Sequence, residues 1–210
     1  MTDQSMARID GVQAAYGARA AEYAGVLGTV ESLADADLEF VAGWAKNIEG
    51  PVLDVGSGPG QWTQYLNGLG VPATGIDPVS EFVELARTAY PDVTYEVGRA
   101  ENTRQANGSL GGVLAWYSLI HTEPSEIGKA LCEFHRIIRP GGGLALGFFE
   151  GPELEPFEHA IITAWYWPME RLADAIEAVG FTVTHTEVRT DPGARRHGAI
   201  SALRHQGPLA

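Results

Sequence analysis

A glycine-rich turn beside a carboxylate is the part of this sequence whose residue types and spacing favour chemistry. Gly56, Gly58 and Gly60 follow a short apolar run, and Asp54 stands two residues before the first of them. Glycine lets a backbone turn sharply and approach a ligand closely. A fixed carboxylate at such a turn repels a pyrophosphate and favours a cationic group. The turn therefore predicts a site for a nucleotide-type cofactor that carries positive charge.

A second acid closes the next predicted strand. Asp77 lies 21 residues beyond Gly56 (77 − 56), a position from which a carboxylate accepts hydrogen bonds from both ribose hydroxyls. The dinucleotide fingerprint G-x-G-x-x-G needs a third glycine at position 61, where this chain has Gln61. Together with Asp54, Gln61 disfavours an NAD-dependent oxidoreductase, which stays open as an alternative.

At these motifs the sequence resembles the class I S-adenosylmethionine-dependent methyltransferases of the bacterial small-molecule type. Residues 52–60, Val-Leu-Asp-Val-Gly-Ser-Gly-Pro-Gly, are similar to the first motif of that family, and residues 75–77, Gly-Ile-Asp, to its ribose-binding acid. Residues 16–23 resemble its N-terminal helix, and residues 139–143 the turn before its fifth strand. The resemblance implies S-adenosylmethionine as methyl donor, S-adenosylhomocysteine as product and a small-molecule acceptor.

The resemblance also implies an α/β fold. The expected architecture is a Rossmann-like seven-stranded, mostly parallel sheet in the order 3-2-1-4-5-7-6, with strand 7 antiparallel, helices on both faces and an N-terminal helical lid. Alternation of strand and helix patterns along the chain independently predicts a parallel sheet. The strands are predicted at 52–55, 73–77, 93–97, 112–116, 144–149, 181–189 and 198–204.

One domain is expected, because 210 residues with 45% hydrophobic content can bury one substantial core. Within it we expect a helical cap at 1–48, a cofactor-binding core at 51–149, an irregular substrate-covering insertion at 150–167, and a last helix with a hairpin at 168–210.

A helical lid over the cofactor is predicted near the N-terminus. Tyr16, Arg19 and Tyr23 recur at i, i+3 and i+7, on one helix face. There Arg19 would pair with the carboxylate of the cofactor, and a tyrosine would face its sulfonium. Packing of both tyrosines on the core, with a solvated Arg19, is the alternative.

The adenine contact is predicted after the third strand. The family usually has an acid directly after the residue that Gly98 occupies, where this chain has Arg99, so we assign that role to Glu101 with the backbone of Ala100. The full set assigned to the cofactor is Tyr16, Arg19, Tyr23, Asp54, Gly56, Ser57, Gly58, Gly60, Trp62, Asp77, Pro78, Ala100, Glu101, Trp116 and Tyr117.

Candidate acceptor-binding residues follow the later strands. His121 comes just after the fourth strand, where open α/β sheets bind ligands; with an unperturbed pKa of about 6.5 it is a candidate base or substrate positioner. Glu150 and Tyr166 are further candidate contacts. Arg195 and Arg196 would hold a phosphate or carboxylate if their turn reaches the site. A solvated turn is the alternative.

Composition argues against several other classes of function. The formal net charge of −13 disfavours binding to nucleic acid or to an anionic membrane. No apolar run approaches the roughly 20 residues that cross a bilayer, and a cytoplasmic protein is expected. The single cysteine, Cys132, cannot form an internal disulfide, and the histidines lack metal-site spacing, so no metal is predicted. A non-catalytic S-adenosylmethionine-binding protein stays a further alternative, and neither the acceptor nor the oligomeric state is predicted.

Overall fold

The structure, a computed structural model, describes residues 11–207 apart from residues 12, 13, 18 and 192 and apart from the side chains of residues 21, 23, 26 and 27. The helices are α1 Ala20–Leu27, α2 Asp35–Ala45, α3 Gln61–Gly68, α4 Ser80–Ala89, α5 Ile127–Ile137 and α6 Met169–Ala178, with a 3-10 turn at Val30–Ser32. The strands are β1 Val52–Val55, β2 Ala73–Asp77, β3 Tyr95–Val97, β4 Leu110–Trp116, β5 Ile138–Glu150, β6 Glu155–Phe157, β7 Ala164–Trp167, β8 Phe181–Thr190 and β9 Arg196–Arg204.

The strands of the described chain form one sheet. Strands β3-β2-β1-β4-β5 are neighbours in that order and run parallel. Strand β9 pairs with β5 in the antiparallel sense and also with β8. The seven predicted strands therefore correspond to β3-β2-β1-β4-β5-β9-β8, with β9 as the antiparallel strand. The α/β, Rossmann-like fold expected from the sequence is confirmed.

The segment after β5 differs from the expectation of irregular chain, because it forms a short hairpin, β6–β7. Phe149 of β5 pairs in parallel with Tyr166 of β7 and, on its other edge, in antiparallel with His197 of β9. Strand β7 therefore uses the edge of β5 that β4 occupies earlier in the strand. Trp165 also donates its backbone N–H to the carbonyl of Ile120 at 2.9 Å. The hairpin thus extends the sheet beyond the end of β4.

The centre of the sheet is buried on both faces. Every residue of β1 and of β4 is buried, as expected for parallel strands covered by helices on both sides. Leu131 and Phe134 of α5 pack in one apolar cluster, and Val41 and Trp44 of α2 pack in another. These clusters fix the carboxyl ends of β1, β2 and β4. In the described chain no helix has the length and apolar character needed to span a membrane.

Candidate functional site

A cavity of about 420 Å³ lies at the carboxyl ends of β1, β2 and β4. Gly56, Asp77 and Tyr117, which end or directly follow these strands, all line it. Its volume lies within the range of about 300–1,000 Å³ that is typical of small-molecule sites. The position beyond the carboxyl ends of parallel strands is where open α/β sheets bind their ligands.

The glycine turn forms one wall of the cavity and needs glycine at two positions. Gly56 has φ +73°, and a Cβ there would lie 2.2 Å from Cβ of Ser118. Gly60 precedes the first residue of α3 with φ +97°, and its Cβ would lie 2.7 Å from the hydroxyl oxygen of Tyr95. Other residues are strained in this left-handed region. The sequence therefore folds into a tight turn that brings backbone against the cavity.

Asp77 holds that turn and faces the cavity. Its Oδ2 accepts a hydrogen bond from the N–H of Gly58 at 2.9 Å, and its Oδ1 accepts one from Val79 at 2.8 Å. Burial raises the pKa of Asp77 to about 6, although the two backbone hydrogen bonds lower it. Because a carboxylate oxygen accepts more than one hydrogen bond, Asp77 keeps acceptor capacity for a ligand hydroxyl.

Asp54 lies behind the turn and does not line the cavity. It is 1% exposed, and its Oδ2 accepts a hydrogen bond from the hydroxyl of Thr63 at 2.7 Å. Burial raises the pKa of Asp54 to about 7, which the Thr63 bond opposes. Asp54 thus links β1 to α3, and the acid that can touch a ligand is Asp77.

Several buried polar atoms in residues that line the cavity have no hydrogen-bond partner in the described chain. They are the hydroxyl oxygens of Ser57 and Ser118, the Oε1 of Gln61 and the Nε1 of Trp116. Such unsatisfied groups are uncommon in folded proteins. Beside the carboxylate of Asp77, they fit a polar ligand of the nucleoside type.

Tyr16 and His121 form a hydrogen-bonded pair at the cavity. The hydroxyl of Tyr16 lies 2.8 Å from Nε2 of His121, and Nδ1 of His121 lies 2.9 Å from the carbonyl oxygen of Thr163. Since a carbonyl only accepts, Nδ1 carries a proton, so when the ring has one proton its Nε2 accepts from the Tyr16 hydroxyl. Both ring nitrogens of His121 are therefore engaged.

A second pair, Tyr117 and His197, lies in the same cavity. Tyr117 directly follows β4 with φ +54°, and its hydroxyl forms a hydrogen bond with Nδ1 of His197. Burial raises the pKa of Tyr117 far above its ordinary value and lowers the pKa of His197. Both groups are therefore neutral at physiological pH.

An ion-pair cluster completes this part of the cavity. Arg189 of β8 pairs with Asp37 of α2 and, at 3.0 Å, with Asp191. Its hydrogen bond to Asp37 is the largest cause of the raised pKa of Arg189. The sequence did not single out these residues.

The predicted anion-binding arginines lie elsewhere. Nε of Arg196 pairs with Glu150 at 2.6 Å, while Arg195 donates to the carbonyl of Glu158 at 3.2 Å and lies 4.7 Å from the ring centroid of Phe157. Neither arginine lines the cavity, and neither does Glu150. The strand register explains why Arg196 lies outside. Arg189 pairs with His197, and both line the cavity, whereas the next pair, Thr190 with Arg196, points to the opposite face of the β8–β9 hairpin because side chains alternate along a strand.

Other predicted residues also lie outside the cavity lining. Both terminal groups and Nε of Arg19 are engaged, by the carboxylate of Glu22 and the carbonyl of Ala160. Glu101 does not line the cavity, although its Oε1 is buried without a partner in the described chain. The side chain of Tyr23 lies outside the described residues. Ala100, Gly60 and Tyr166 are also absent from the lining.

The structure does bring together ten of the predicted residues. Those lining the cavity are Tyr16, Gly56, Ser57, Gly58, Trp62, Asp77, Pro78, Trp116, Tyr117 and His121. The sequence reasoning missed Asp37, Phe149, His159, Arg189, Asp191 and His197, which line it as well. Within the described chain, no group of three or more His, Cys, Asp or Glu side chains could hold a metal ion.

Comparison with known proteins places these features in a family. A family model described as a methyltransferase domain matches residues 52–142, which include the glycine turn and Asp77. An uncharacterized methyltransferase of Mycobacterium bovis is 33% identical over 95 residues, 45% of this chain and 38% of the relative. A demethylmenaquinone methyltransferase of Chlorobaculum parvum is 31% identical over 102 residues, 46% of this chain and 42% of the relative. The chain thus spans about two fifths of the length of these curated relatives.

A solved structure has the same fold. It is the 1,6-didemethyltoxoflavin-N1-methyltransferase of Burkholderia thailandensis, with bound 1,6-didemethyltoxoflavin and S-adenosylhomocysteine. The TM-score is 0.69 at 21% identity, over 80% of this chain and 77% of that chain. The sequence match covers the glycine turn and the structural match covers most of the sheet, and together they support a class I S-adenosylmethionine-dependent methyltransferase, with the methyltransferase domain matched at residues 52–142.

Proposed function

We propose that this chain binds S-adenosylmethionine in the cavity and transfers its methyl group to an oxygen or nitrogen atom of a small molecule, leaving S-adenosylhomocysteine. The observation that carries the proposal is one continuous cavity with two chemically different parts. The glycine turn and Asp77 fit a nucleoside, and the Tyr16–His121 and Tyr117–His197 pairs lie in the same cavity.

The cofactor would be held by residues already fixed in place. Asp77 would accept hydrogen bonds from the ribose hydroxyls, and the backbone at Gly56 and Gly58 allows close approach. We retain Glu101 as the candidate partner of the adenine amino group, because its buried Oε1 lacks a partner in the described chain. Bound S-adenosylmethionine would supply the methyl group: the carbon–sulfur bond breaks as a carbon–oxygen or carbon–nitrogen bond forms, the electron pair stays on sulfur, and the acceptor loses a proton.

The protein contributes position and a proton acceptor. Correct alignment of reacting groups can lower a barrier by about 7–11 kcal/mol in favourable cases, and a general base typically adds about 10²–10⁴-fold in rate. Because Nδ1 of His121 donates to Thr163 and Nε2 accepts from Tyr16, His121 would act through the Tyr16 hydroxyl. Tyr16 would take the proton of the acceptor as its own moves to Nε2.

A small-molecule acceptor has support from the surface charge and from one structural relative. A formal net charge of −13 opposes binding to nucleic acid. The relative from Burkholderia thailandensis is named for N1-methylation of 1,6-didemethyltoxoflavin. We accordingly propose one methyltransferase domain that acts on a small molecule in the cytoplasm.

Calorimetric titration of the dialysed protein tests the proposal. S-adenosylhomocysteine should bind, and Asp77→Asn should weaken it by tenfold or more, because one acceptor oxygen becomes an amide donor. Asp174→Asn, an exposed change on α6, serves as the matched control and should bind as the parent does. Binding of NAD without binding of S-adenosylhomocysteine would contradict the proposal, and binding without any turnover of small phenols, amines or carboxylates would reduce it to a cofactor-binding protein.

A further inference from the structure

Six of the aromatic and imidazole rings that line the cavity contact one another in a chain, which we name the ring belt. In order, the belt consists of Tyr16, His121, His159, Phe149, His197 and Tyr117. Successive ring centroids lie 5.5, 5.2, 6.0, 5.8 and 5.6 Å apart. The rings come from five separate parts of the sequence, so tertiary folding alone assembles them around one space.

Three titratable rings of the belt are uncharged at physiological pH, namely His159, His197 and Tyr117. Burial lowers the pKa of His159, and Arg195 lowers it further. The pKa of His197 is also lowered, by burial first and by Arg189 second, against the opposing effect of Asp37 and Asp191. Tyr117 stays a phenol because burial raises its pKa. These neutral rings offer flat, polarisable surfaces with a few polar edges.

Two polar edges of the belt are left for a ligand among the described residues, Nε2 of His197 and Nε2 of His159, whose Nδ1 accepts from the N–H of Ile161 at 3.4 Å. In His197 the Nδ1 is engaged by the hydroxyl of Tyr117, and no described residue forms a hydrogen bond with its Nε2. His121 differs, because the Tyr16 hydroxyl and the Thr163 carbonyl engage both of its nitrogens. A ligand hydroxyl, which both donates and accepts, therefore finds a partner at His197 or His159.

Charges beside the belt disfavour an anionic ligand. Arg189 shares the cavity, but Asp37 and Asp191 already pair with it. An anionic acceptor would meet two carboxylates there, and the guanidinium beside them is already paired with both. The two arginines that could attract an anion, Arg195 and Arg196, lie outside the cavity lining.

We infer that the ring belt is the acceptor subsite and that it takes a neutral, planar aromatic molecule whose hydroxyl bonds Nε2 of His197 or of His159. The inference rests on the proposed function, of which it names the substrate class. Aromatic pairs gain attraction beyond what their buried area provides. A flat acceptor should therefore bind at least tenfold more tightly than a saturated molecule of similar size with the same hydroxyl, which corresponds to about 1.4 kcal/mol.

Two bicyclic alcohols test this on protein saturated with S-adenosylhomocysteine. The probes are 2-naphthol and decahydro-2-naphthol, titrated by calorimetry, with tetramethylammonium chloride as a cationic probe. We expect 2-naphthol to bind at least tenfold more tightly than its saturated analogue. Equal affinity of the two alcohols, no binding of 2-naphthol, or binding of tetramethylammonium alone would overturn the inference.

Matched variants locate the binding. Phe149→Leu should weaken 2-naphthol at least tenfold and leave S-adenosylhomocysteine unchanged within about twofold. Phe157→Leu is the control, because its ring contacts Phe149 at 5.3 Å but does not line the cavity, and it should leave both ligands unchanged. If Phe149→Leu loses S-adenosylhomocysteine as well, His159→Leu decides by the same criterion; unchanged 2-naphthol affinity in the deciding variant would overturn the inference.

The outcomes separate the two levels of the proposal. Failure of the parent protein to bind S-adenosylhomocysteine contradicts the proposed function before any acceptor is tested. Binding of S-adenosylhomocysteine without preference for 2-naphthol leaves the proposed function standing and removes only the aromatic acceptor.

Discussion

Tyr16 and His121 lie 105 positions apart, and a hydrogen bond of 2.8 Å joins the hydroxyl of the first to Nε2 of the second. The pair links the N-terminal segment to the loop after β4, at the point where an acceptor would lose its proton. Its value to catalysis can be separated from its value to the fold, because other tyrosines of the chain make comparable bonds away from the cavity.

Replacing Tyr16 by Phe should lower kcat/KM by roughly 10²-fold, the lower end of what a proton acceptor contributes. The ring contact with Phe82 at 5.7 Å is kept, so the free energy of unfolding should fall by only about 0.5–1.5 kcal/mol. Steady-state kinetics with an identified acceptor measure the first quantity and urea denaturation the second.

Tyr90→Phe is the control for that change. It removes a bond of 3.0 Å from a tyrosine hydroxyl to the carbonyl of Gly28, and Tyr90 does not line the cavity. Similar losses of stability with a rate loss confined to Tyr16→Phe would support a catalytic hydroxyl. Equal kcat/KM in the two variants would show that the Tyr16 hydroxyl has no catalytic role.

The two buried acids predict a dependence of stability on pH. The pKa is about 7 for Asp54 and about 6 for Asp77 in the folded protein, against about 3.9 in an unfolded chain. Between about pH 4 and pH 7 the folded state therefore binds more protons, and the free energy of unfolding falls as pH rises through this window. Asp54→Asn should flatten the fall, whereas the exposed Asp174→Asn should keep it. Urea titrations of the cofactor-free protein at several pH values measure the slope; an identical slope in Asp54→Asn would show that Asp54 does not cause it.

The glycine turn predicts opposite effects for two identical substitutions. Gly56→Ala places a Cβ 2.2 Å from Ser118 at φ +73°, and it should destabilise the protein by several kcal/mol or prevent binding of S-adenosylhomocysteine. Gly43→Ala, inside α2 with nothing within 4 Å of its Cβ, should stabilise by about 0.5–1 kcal/mol. Thermal unfolding and calorimetry check both. A Gly56→Ala protein that matches the parent in both measurements would contradict the close approach at Ser118.

The ion pair of Arg189 with Asp37 joins β8 to α2 across 152 positions. Arg189→Gln leaves the carboxylate of Asp37, 12% exposed, without its cation, and should cost about 1–3 kcal/mol of unfolding free energy. Asp37→Asn in the same chain should recover part of that cost, because the unpaired charge is gone. A double-mutant cycle in urea measures the coupling, and strictly additive effects would mean that the pair does not stabilise the fold.

Local patterns predicted the central strands well. The bounds of β1 and β2 agree with the expectation, because each is a short apolar run between turn-forming residues. Strand β5 was predicted to begin at residue 144 and begins at Ile138. Proline and three glycines at 140–143 favour a turn locally, yet Ile138 pairs with Leu110 of β4 across a register shift. Pairing between distant segments outweighed the local preference.

The two parts of the cavity also differ in how far local sequence predicts them. The glycine turn and Asp77 are close in sequence and could be recognised from their spacing. Phe149, Arg189 and His197 come together only through the register of β5, β8 and β9. The sequence analysis instead assigns ligand contacts to Arg195 and Arg196, which stand next to His197 in sequence. Side chains alternate between the two faces of a strand, and the local sequence does not show which face points into the cavity.

The hairpin β6–β7 and the N-terminal segment, which both border the cavity, are attached to the rest of the protein in different ways. The backbone of the hairpin is hydrogen-bonded to its neighbours. Trp165 N–H donates to the carbonyl of Ile120 in the loop after β4, and Gly151 N–H, just after β5, donates to the carbonyl of Trp167. The N-terminal segment is held at the cavity through side chains such as Tyr16, in a small apolar group with Phe82. Amide protons of the hairpin should therefore exchange with solvent more slowly than those of residues 14–17, so the wall at the N-terminal segment should open more readily than the wall at the hairpin.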